Sequence, residues 1–340
     1  HTFLVGGAMS SCALIDLHVH LDGSIPLPAA AQLAAKAGLD FSLAELHEKM
    51  QVPAHCQDLN QYLATFELPL KLMQSAQGIR TVAKAFHEQL DTEGILYAEP
   101  RFAPGSLTAG GLSQQEVLEA ALAGRADFYA EHPQSELHTA YIVCAMRGTA
   151  EALKYKNEES IDLASAYLGN GVAAADLAGA EALFATENFS SLFVEAQRKD
   201  VPFTIHAGEA AGPESIKAAL RLGAQRIGHG VRSLEDAGVI QDLKAANVAL
   251  EICPTSNLQT RIFESIERFP LEQLLDAGLT VTINTDNMTV SNTTLSREFD
   301  LLQQHCGLDK NTARELAENA ARAVFSDSSE KDRLLAHLRQ

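Results

Sequence analysis

The chain has 340 residues, 46% hydrophobic and 21% charged, and its 26 basic and 44 acidic side chains give a formal net charge of −18. An acidic surface repels nucleic-acid phosphates and anionic lipids, so we expect neither nucleic acid nor a membrane as a partner. The five cysteines are scattered, odd in number and without a C-x-x-C pair, which favours a reducing, cytoplasmic location.

The chain begins with "HTFLVGGAMSS", which has neither the basic start nor the long apolar core of a signal peptide. We expect residues 1–8 to be a remnant of an expression tag and Met9 to be the natural start. No later run reaches the roughly 18 apolar residues of a membrane-spanning helix. No repeat or linker divides the chain, so we predict one domain over residues 1–340. The sequence does not indicate its oligomeric state.

Eight short apolar runs, typical of buried strands, alternate with longer stretches of helical periodicity. They are "ALIDLHVH" from Ala13, "LYAEPRF" from Leu96, "LHTAYIVC" from Leu137, "VAAADLAG" from Val172, "PFTIHAG" from Pro202, "QRIGHG" from Gln225, "VALEICP" from Val248 and "TVTINTD" from Thr280. Continuous apolar strands that alternate with helices predict a parallel sheet covered on both faces. Eight such units predict a closed (β/α)8 barrel of the TIM type.

The segments between the strands carry helix signals. "SQQE" from Ser113 is a capping box, and "SLED" from Ser233 predicts a second helix start. Residues 25–94 separate the first two strands, which is too long for one crossover, so we predict a helical insertion that covers one end of the barrel. The segment after Leu295 is predicted to form C-terminal helices around the barrel.

Polar side chains stand at the ends of four predicted strands. His18 and His20 end the first, His206 the fifth, His229 the sixth and Asp286 the eighth. Residues at i and i+2 of a strand share a face, so the first two imidazoles can reach one ion. Each histidine alone is more often a hydrogen-bonded core residue than a ligand. Five such residues at the carboxyl ends of strands, where barrel enzymes place their active sites, predict a metal centre.

The donor set also restricts the chemistry. Imidazoles and a carboxylate without thiolates suit zinc best, with iron, manganese and cobalt as alternatives. Glu209 follows His206 by three residues, and a carboxyl group in a closed pocket has a raised pKa and can transfer protons. The alternative for Glu209 is a charged loop residue in solvent. No G-x-S-x-G elbow or Walker A loop indicates another mechanism.

Together these motifs resemble the adenosine deaminase family of zinc-dependent aminohydrolases. The matches, in family order, are "HVHLDGS" at His18, "YAEPRFAP" at Tyr97, "DLAGAE" at Asp176, "HAGE" at His206, "GHG" at His229, "EICPTSN" at Glu251 and "NTD" at Asn284. The resemblance implies one zinc ion per chain, held by His18, His20, His206 and Asp286. It implies hydrolytic deamination of adenosine, and of 2′-deoxyadenosine, to inosine and ammonia.

The resemblance also implies roles in catalysis. A zinc-activated water attacks C6 of the purine, and Asp286 touches that water. His229 orients or deprotonates the water, and Glu209 protonates ring N1. His20 faces the substrate, and the backbone N–H of Gly179 binds purine N3.

Two positions bear on the substrate. Asp22 is the position that contacts the ribose 5′-hydroxyl in family members acting on nucleosides, whereas relatives acting on adenine tend to carry Glu there. Asn287 departs from the family's common Asp-Asp-Pro pattern. We expect it to bind purine N7, because an amide donates a hydrogen bond at any pH whereas an aspartate must first be protonated.

Three alternatives remain at this point. The first is deamination of another 6-aminopurine, such as adenine or aminodeoxyfutalosine. The second is a two-metal hydrolase of amides or phosphoesters, although no predicted strand ends in a suitable bridging lysine. The third, of a different class, is a catalytically inactive nucleoside-binding relative, against which Glu209 and His229 argue.

Overall fold

The computed structural model describes residues 9–53, 55–56 and 59–340, so the expected tag remnant at residues 1–8 lies outside the described residues. The strands found there are β1 (Ile15–His20), β2 (Tyr97–Phe102), β3 (His138–Thr139), β4 (Tyr141–Met146), β5 (Val172–Ala178), β6 (Thr204–Ala207), β7 (Arg226–His229), β8 (Ala249–Ile252) and β9 (Thr280–Ile283). The helices are α1 (Leu27–Lys36), α2 (Leu43–Met50), α3 (Leu59–Ala64), α4 (Glu67–Leu72), α5 (Ala76–Thr92), α6 (Gln114–Glu131), α7 (Glu151–Ala166), α8 (Ser190–Arg198), α9 (Pro213–Leu222), α10 (Ala237–Ala245), α11 (Pro254–Gln259), α12 (Leu271–Asp276), α13 (Leu295–Cys306), α14 (Lys310–Ala323) and α15 (Ser328–Leu338).

The strands form two parallel sets that meet at both edges. One set runs β1-β2-β4-β5 and the other β6-β7-β8-β9. Single parallel bridges join Ala175 to Phe203 and Val19 to Asp286, so each set continues into the other. The predicted (β/α)8 barrel is confirmed. The third predicted strand is interrupted, because the short β3 pairs with β2 ahead of β4.

The insertion and the helix starts follow local sequence signals. Helices α1 to α5 fill the predicted insertion between β1 and β2. The Ser113 hydroxyl accepts the backbone N–H of Glu116 in the expected capping box at α6. At "SLED" the prediction was wrong: residues 231–235 form a 3₁₀ turn, and α10 begins after Asp236. The Asp236 carboxylate accepts two backbone N–H groups at that helix start, and this interaction fixes where α10 begins.

The C-terminal segment closes the barrel at the end opposite the strand carboxyl termini. Helix α14 packs against β9 and β1. The guanidinium of Arg226, at the start of β7, lies 3.9 Å from the ring centroid of Phe325 and donates to the backbone oxygen of Ala323. This confirms C-terminal helices that pack on the barrel. None of the described helices is long and apolar enough to cross a bilayer.

Helix α8 provides a stability test with a control at its neighbouring exposed position. Phe193 is fully buried, with its ring centroid 4.6 Å from that of Phe203. Truncation leaves a cavity, so Phe193→Ala should lower the free energy of unfolding by about 3–5 kcal/mol in urea denaturation. The adjacent Val194 is 59% exposed, and Val194→Ala should change it by less than about 0.5 kcal/mol. Equal effects of the two substitutions would contradict this packing.

Candidate active site

The histidines and the aspartate at the strand ends converge on one point. Asp286 Oδ1 lies 3.3 Å from His18 Nε2 and 3.2 Å from His20 Nε2. His20 Nε2 in turn lies 3.3 Å from His206 Nε2. All but His20 are buried, and His20 is half-buried. Three imidazole nitrogens and one carboxylate oxygen therefore face a common centre.

His229 and Glu209 form the next layer of this site. His229 Nε2 lies 3.2 Å from Glu209 Oε2 and 3.9 Å from Asp286 Oδ2. One donor atom from each of His18, His206, His229 and Asp286 also lies within 4.8 Å of the others. His229 thus borders the same centre, but it faces the second oxygen of Asp286 rather than the first.

The backbone turns sharply where these side chains enter the site. His229 and Asp286 both adopt left-handed conformations with φ of 62°. This region is uncommon for residues other than glycine and costs about 1–3 kcal/mol, and such residues cluster at active sites. Gly179, at the carboxyl end of β5, has φ of 106°, which a residue with a side chain rarely adopts.

Two buried carboxylates orient the imidazoles. His18 Nδ1 lies 2.9 Å from Glu251 Oε1, and His206 Nδ1 lies 3.0 Å from Asp176 Oδ2. Each Nδ1–H donates to its carboxylate, so each Nε2 presents a lone pair to the common centre. His18 Nε2 is fully buried and makes no hydrogen bond. A buried lone pair without a donor suits a metal ion, and the donor set fits zinc.

The two carboxylates belong to a buried network of charges. Arg101 bridges them, with nitrogen–oxygen distances of 3.2 Å to Asp176 and 3.0 Å to Glu251. Arg226 joins Glu251 to Glu99 at 2.6 and 2.7 Å. Burial raises the pKa of Asp176, but His206 and Arg101 outweigh this effect and hold the pKa below its usual value. Both carboxylates therefore stay ionised as acceptors for the histidines.

The surroundings of Glu209 shift its pKa in the opposite direction to that of Asp176. Burial, followed by the charges of Asp286 and Glu181, raises the pKa of Glu209 to about 8. Glu181 Oε1 also accepts the backbone N–H groups of Glu209 and Ala211, at 3.1 and 2.7 Å. Glu181 therefore both positions the loop and helps to keep Glu209 protonated near neutral pH.

Several functional positions were missed by the sequence reasoning, which quoted their motifs without giving them roles. Asn257 Nδ2 lies 3.2 Å from His229 Nδ1, and Ser256 Oγ donates to Asp286 Oδ2 at 2.7 Å. Both lie in "EICPTSN", and Glu251 opens the same motif. The signal available in the sequence was a run of polar residues following a strand at the carboxyl end of the barrel.

The predicted substrate-contacting residues surround the cluster. Asp22 is half-buried, loss of solvent around its carboxylate raises its pKa, and its buried Oδ1 has no hydrogen-bond partner. Asn287 is 3% exposed and donates from Nδ2 to the Tyr62 hydroxyl at 2.8 Å. A Cβ atom on Gly23 would lie 1.8 Å from Asn287 Oδ1, so only glycine permits the turn after Asp22 to pack here.

The chain resembles known proteins over nearly its full length. The adenosine deaminase family model matches residues 13–340. An adenosine deaminase from Haemophilus ducreyi is 42% identical over 98% of this chain and 97% of its own length. One from Enterococcus faecalis is 35% identical over 93% of both chains.

Solved structures give the same result for the fold. The crystal structure of an adenine deaminase from Arthrobacter aurescens has a TM-score of 0.83 and 25% identity, covering 96% of this chain and 98% of that one. An Arabidopsis N6-mAMP deaminase has a TM-score of 0.84 and 25% identity, covering 97% and 98%. Proteins named for a nucleoside, a free base and a nucleotide thus share similarity with this chain.

In metal-free protein, prepared with a chelator, the Glu209 carboxyl should titrate near pH 8, because burial and neighbouring acids disfavour its ionised form. NMR of protein labelled with ¹³C at the glutamate carboxyls measures this pKa. Glu209→Gln identifies the signal by removing it. A pKa close to that of an exposed glutamate would contradict the described environment.

Proposed function

The chain belongs to the adenosine deaminase family, and we propose that it hydrolyses the 6-amino group of adenosine and 2′-deoxyadenosine, releasing ammonia. The observation that carries this proposal is the pairing of two opposite environments. Three imidazoles and an ionised carboxylate are oriented for a metal, and beside them lies the half-buried Glu209, whose pKa is raised to about 8. Deamination of a purine needs both an activated water and a proton donor for the ring.

We assign the metal to His18, His20, His206 and Asp286, and we propose zinc, one ion per chain. The Nε2 atoms of His18 and His20 lie 3.3 and 3.2 Å from Asp286 Oδ1, and His206 Nε2 lies 3.3 Å from His20 Nε2, which supports this set. A bound zinc ion supplies a Lewis acid that lowers the pKa of a water molecule to about 7. Asp176 and Glu251 hold the ligand rings in place through their Nδ1 atoms.

The proton transfers are assigned to His229 and Glu209. His229, oriented by Asn257, places Nε2 beside Asp286 Oδ2, where it holds or takes a proton of the attacking water. Glu209 donates its proton to ring N1, which makes C6 electrophilic. Water adds to C6 and gives one proton to His229, which passes it to the amino nitrogen. The bond from C6 to that nitrogen then breaks, ammonia leaves with the oxygen retained on the purine, and the remaining hydroxyl proton restores Glu209.

A nucleoside fits the site better than a nucleotide. Asp22 Oδ1 is a buried acceptor without a partner, which suits a neutral hydroxyl donor such as the ribose 5′-hydroxyl. A 5′-phosphate would bring negative charge against Asp22. The N–H of Gly179 is assigned to purine N3, the Asn287 amide to N7, and His20 to the substrate-facing side of the cluster. Adenine is the second candidate, because a structurally similar protein is named adenine deaminase.

Two further assignments rest on the whole chain. We infer a single domain, because one continuous apolar core includes residues from Met9 to Leu338. We also infer a cytoplasmic location, which the five scattered cysteines support.

The substrate assignment is tested with a panel of purines. Ultraviolet absorbance should report fast deamination of adenosine and 2′-deoxyadenosine, at least 100-fold slower reaction of adenine, and little turnover of AMP. The difference is expected because only nucleosides place a neutral hydroxyl at Asp22. Faster turnover of adenine would reverse the assignment. Binding of adenosine without release of ammonia by zinc-loaded protein would refute the enzyme proposal.

Glu209→Gln tests the proton donor. The variant keeps its size and polarity but cannot give up a proton, so kcat should fall by about 10²–10⁴-fold. Zinc content, measured by atomic emission, should stay at one ion per chain. Glu235 pairs with Arg232 on the surface, so Glu235→Gln is a matched control that should keep full activity. An active Glu209→Gln enzyme would remove Glu209 from the mechanism.

A further inference from the structure

The helical insertion contributes one polar group to the active site. Tyr62 of α3 is 5% exposed, and its hydroxyl is a meeting point for three side chains. It accepts a hydrogen bond from Asn287 Nδ2 at 2.8 Å. It also lies 3.4 Å from Ser291 Oγ and 3.5 Å from Ser256 Oγ. No residue of the insertion had been predicted to take part in the chemistry.

Asn287 has little freedom to move away from this contact. Its backbone N–H donates to the Thr285 oxygen at 2.8 Å, and its backbone oxygen accepts from Ser291 at 2.9 Å. On the other side its Oδ1 packs against Gly23, where a Cβ atom would lie 1.8 Å away. The remaining freedom is rotation of the carboxamide about its own axis, which exchanges a donor for an acceptor.

A carboxamide has nearly the same shape in both orientations, so its hydrogen-bond partners decide which way it points. Asn287 Oδ1 is buried and has no partner. The Tyr62 hydroxyl has Ser256 and Ser291 as acceptors for its own proton, at 3.5 and 3.4 Å, so its oxygen accepts from Nδ2 and fixes this orientation. Once one N–H of Nδ2 is bonded to Tyr62, the second N–H of the same nitrogen has a fixed direction.

We propose that Tyr62 is a specificity-determining positioning residue, which holds the Asn287 carboxamide so that its second N–H is presented to N7 of the purine. This inference rests on the proposed function, in which Asn287 faces N7. The Tyr62 hydroxyl recognises no part of the substrate directly. It selects a base with an acceptor at position 7 by acting through Asn287.

The same hydroxyl connects base recognition to the catalytic carboxylate. The Ser256 hydroxyl donates to Asp286 Oδ2 at 2.7 Å, so its oxygen is free to accept from Tyr62. Asn287, Tyr62, Ser256 and Asp286 then form a chain in which each donates to the next. A purine that bonds to Asn287 is thereby linked to the group beside the attacking water.

The ring of Tyr62 is held independently of its hydroxyl. It belongs to a small apolar cluster with Val52, Cys56 and Val290, against which Phe66 packs, and which is separate from the main core. The backbone N–H of Val52 donates to the Val290 oxygen at 2.8 Å, so the insertion is joined to the loop after β9. Tyr62→Phe therefore removes one oxygen and leaves the packing in place.

The experiment compares purine riboside with 7-deazapurine riboside, in which C–H replaces N7. Neither carries a 6-amino group, so neither can lose ammonia, and calorimetry measures their binding to zinc-loaded protein without turnover. The wild-type protein should bind purine riboside at least tenfold more tightly, because the deaza analogue leaves a buried N–H unpaired. Tyr62→Phe should reduce this ratio by roughly tenfold by weakening only the purine riboside complex. With adenosine, the variant should raise KM and change kcat less than threefold.

Three controls make the result specific. Tyr141 is equally buried at the start of β4 and donates to the Ala121 oxygen, so Tyr141→Phe removes the same atom elsewhere and should keep the wild-type ratio. Asn287→Ala should abolish the preference, and adding Tyr62→Phe to it should have no further effect. A wild-type ratio in Tyr62→Phe, or an equal loss for both ligands, would overturn the proposal. If the wild-type protein showed the expected binding ratio, and Tyr62→Phe the expected loss of it, but the protein did not deaminate adenosine, the proposed function would be refuted and the role of Tyr62 would stand.

Discussion

The guanidinium of Arg101, fully buried inside the barrel, fixes the two carboxylates on which the site depends. It bonds to Asp176 and Glu251 and also donates to the backbone oxygen of Leu17 at 2.6 Å. Leaving one partner of such a buried group unpaired costs about 3–5 kcal/mol, so the three charges hold each other in place. This arrangement adds little net stability compared with an apolar core. It does fix the direction of two imidazoles from strands far apart in the sequence.

The barrel strands place the remaining site residues around this buried charge network. The strand ends bring the imidazoles and Asp286 to one centre, and the left-handed backbone at His229 and Asp286 directs their side chains inward. The pKa of Asp176, behind the histidines, is thus held low, while the pKa of Glu209, beside His229, is raised to about 8. Opposite protonation states in adjacent carboxyl groups are what acid–base chemistry on a purine requires. The helical insertion adds the Tyr62 hydroxyl, which accepts a hydrogen bond from Asn287.

The fold and most of the metal cluster could be predicted from the sequence, because the carboxyl ends of parallel strands lie at one end of a barrel. His18, His206 and Asp286 could be placed together from strand ends alone, and the barrel from eight apolar runs. The roles of the carboxylates behind the histidines are not predicted, because Asp176 and Glu251 open two family motifs and lie in buried strands without any local sign of a partner. Their partners come from other strands, and periodicity carries no information on such pairing.

The contact of Tyr62, in the helical insertion, could not be predicted from local sequence either. Its hydroxyl meets Asn287 across a separation of 225 residues, and no local pattern indicates such a contact. The start of α10 was misplaced for a different reason, since two capping residues, Ser233 and Asp236, compete within one turn. In both cases, tertiary or local hydrogen bonds decide between choices that the sequence leaves equal.

The central claim is that buried carboxylates orient the histidines for a metal, and the zinc affinity of Asp176→Asn tests it most directly. Competition with a chromogenic chelator should give an affinity 10–100-fold below that of the wild-type protein, with circular dichroism unchanged. Asp127 forms an ion pair with Arg80 on the surface, and Asp127→Asn should leave the affinity unchanged. A folded Asp176→Asn protein with wild-type zinc affinity would contradict the account.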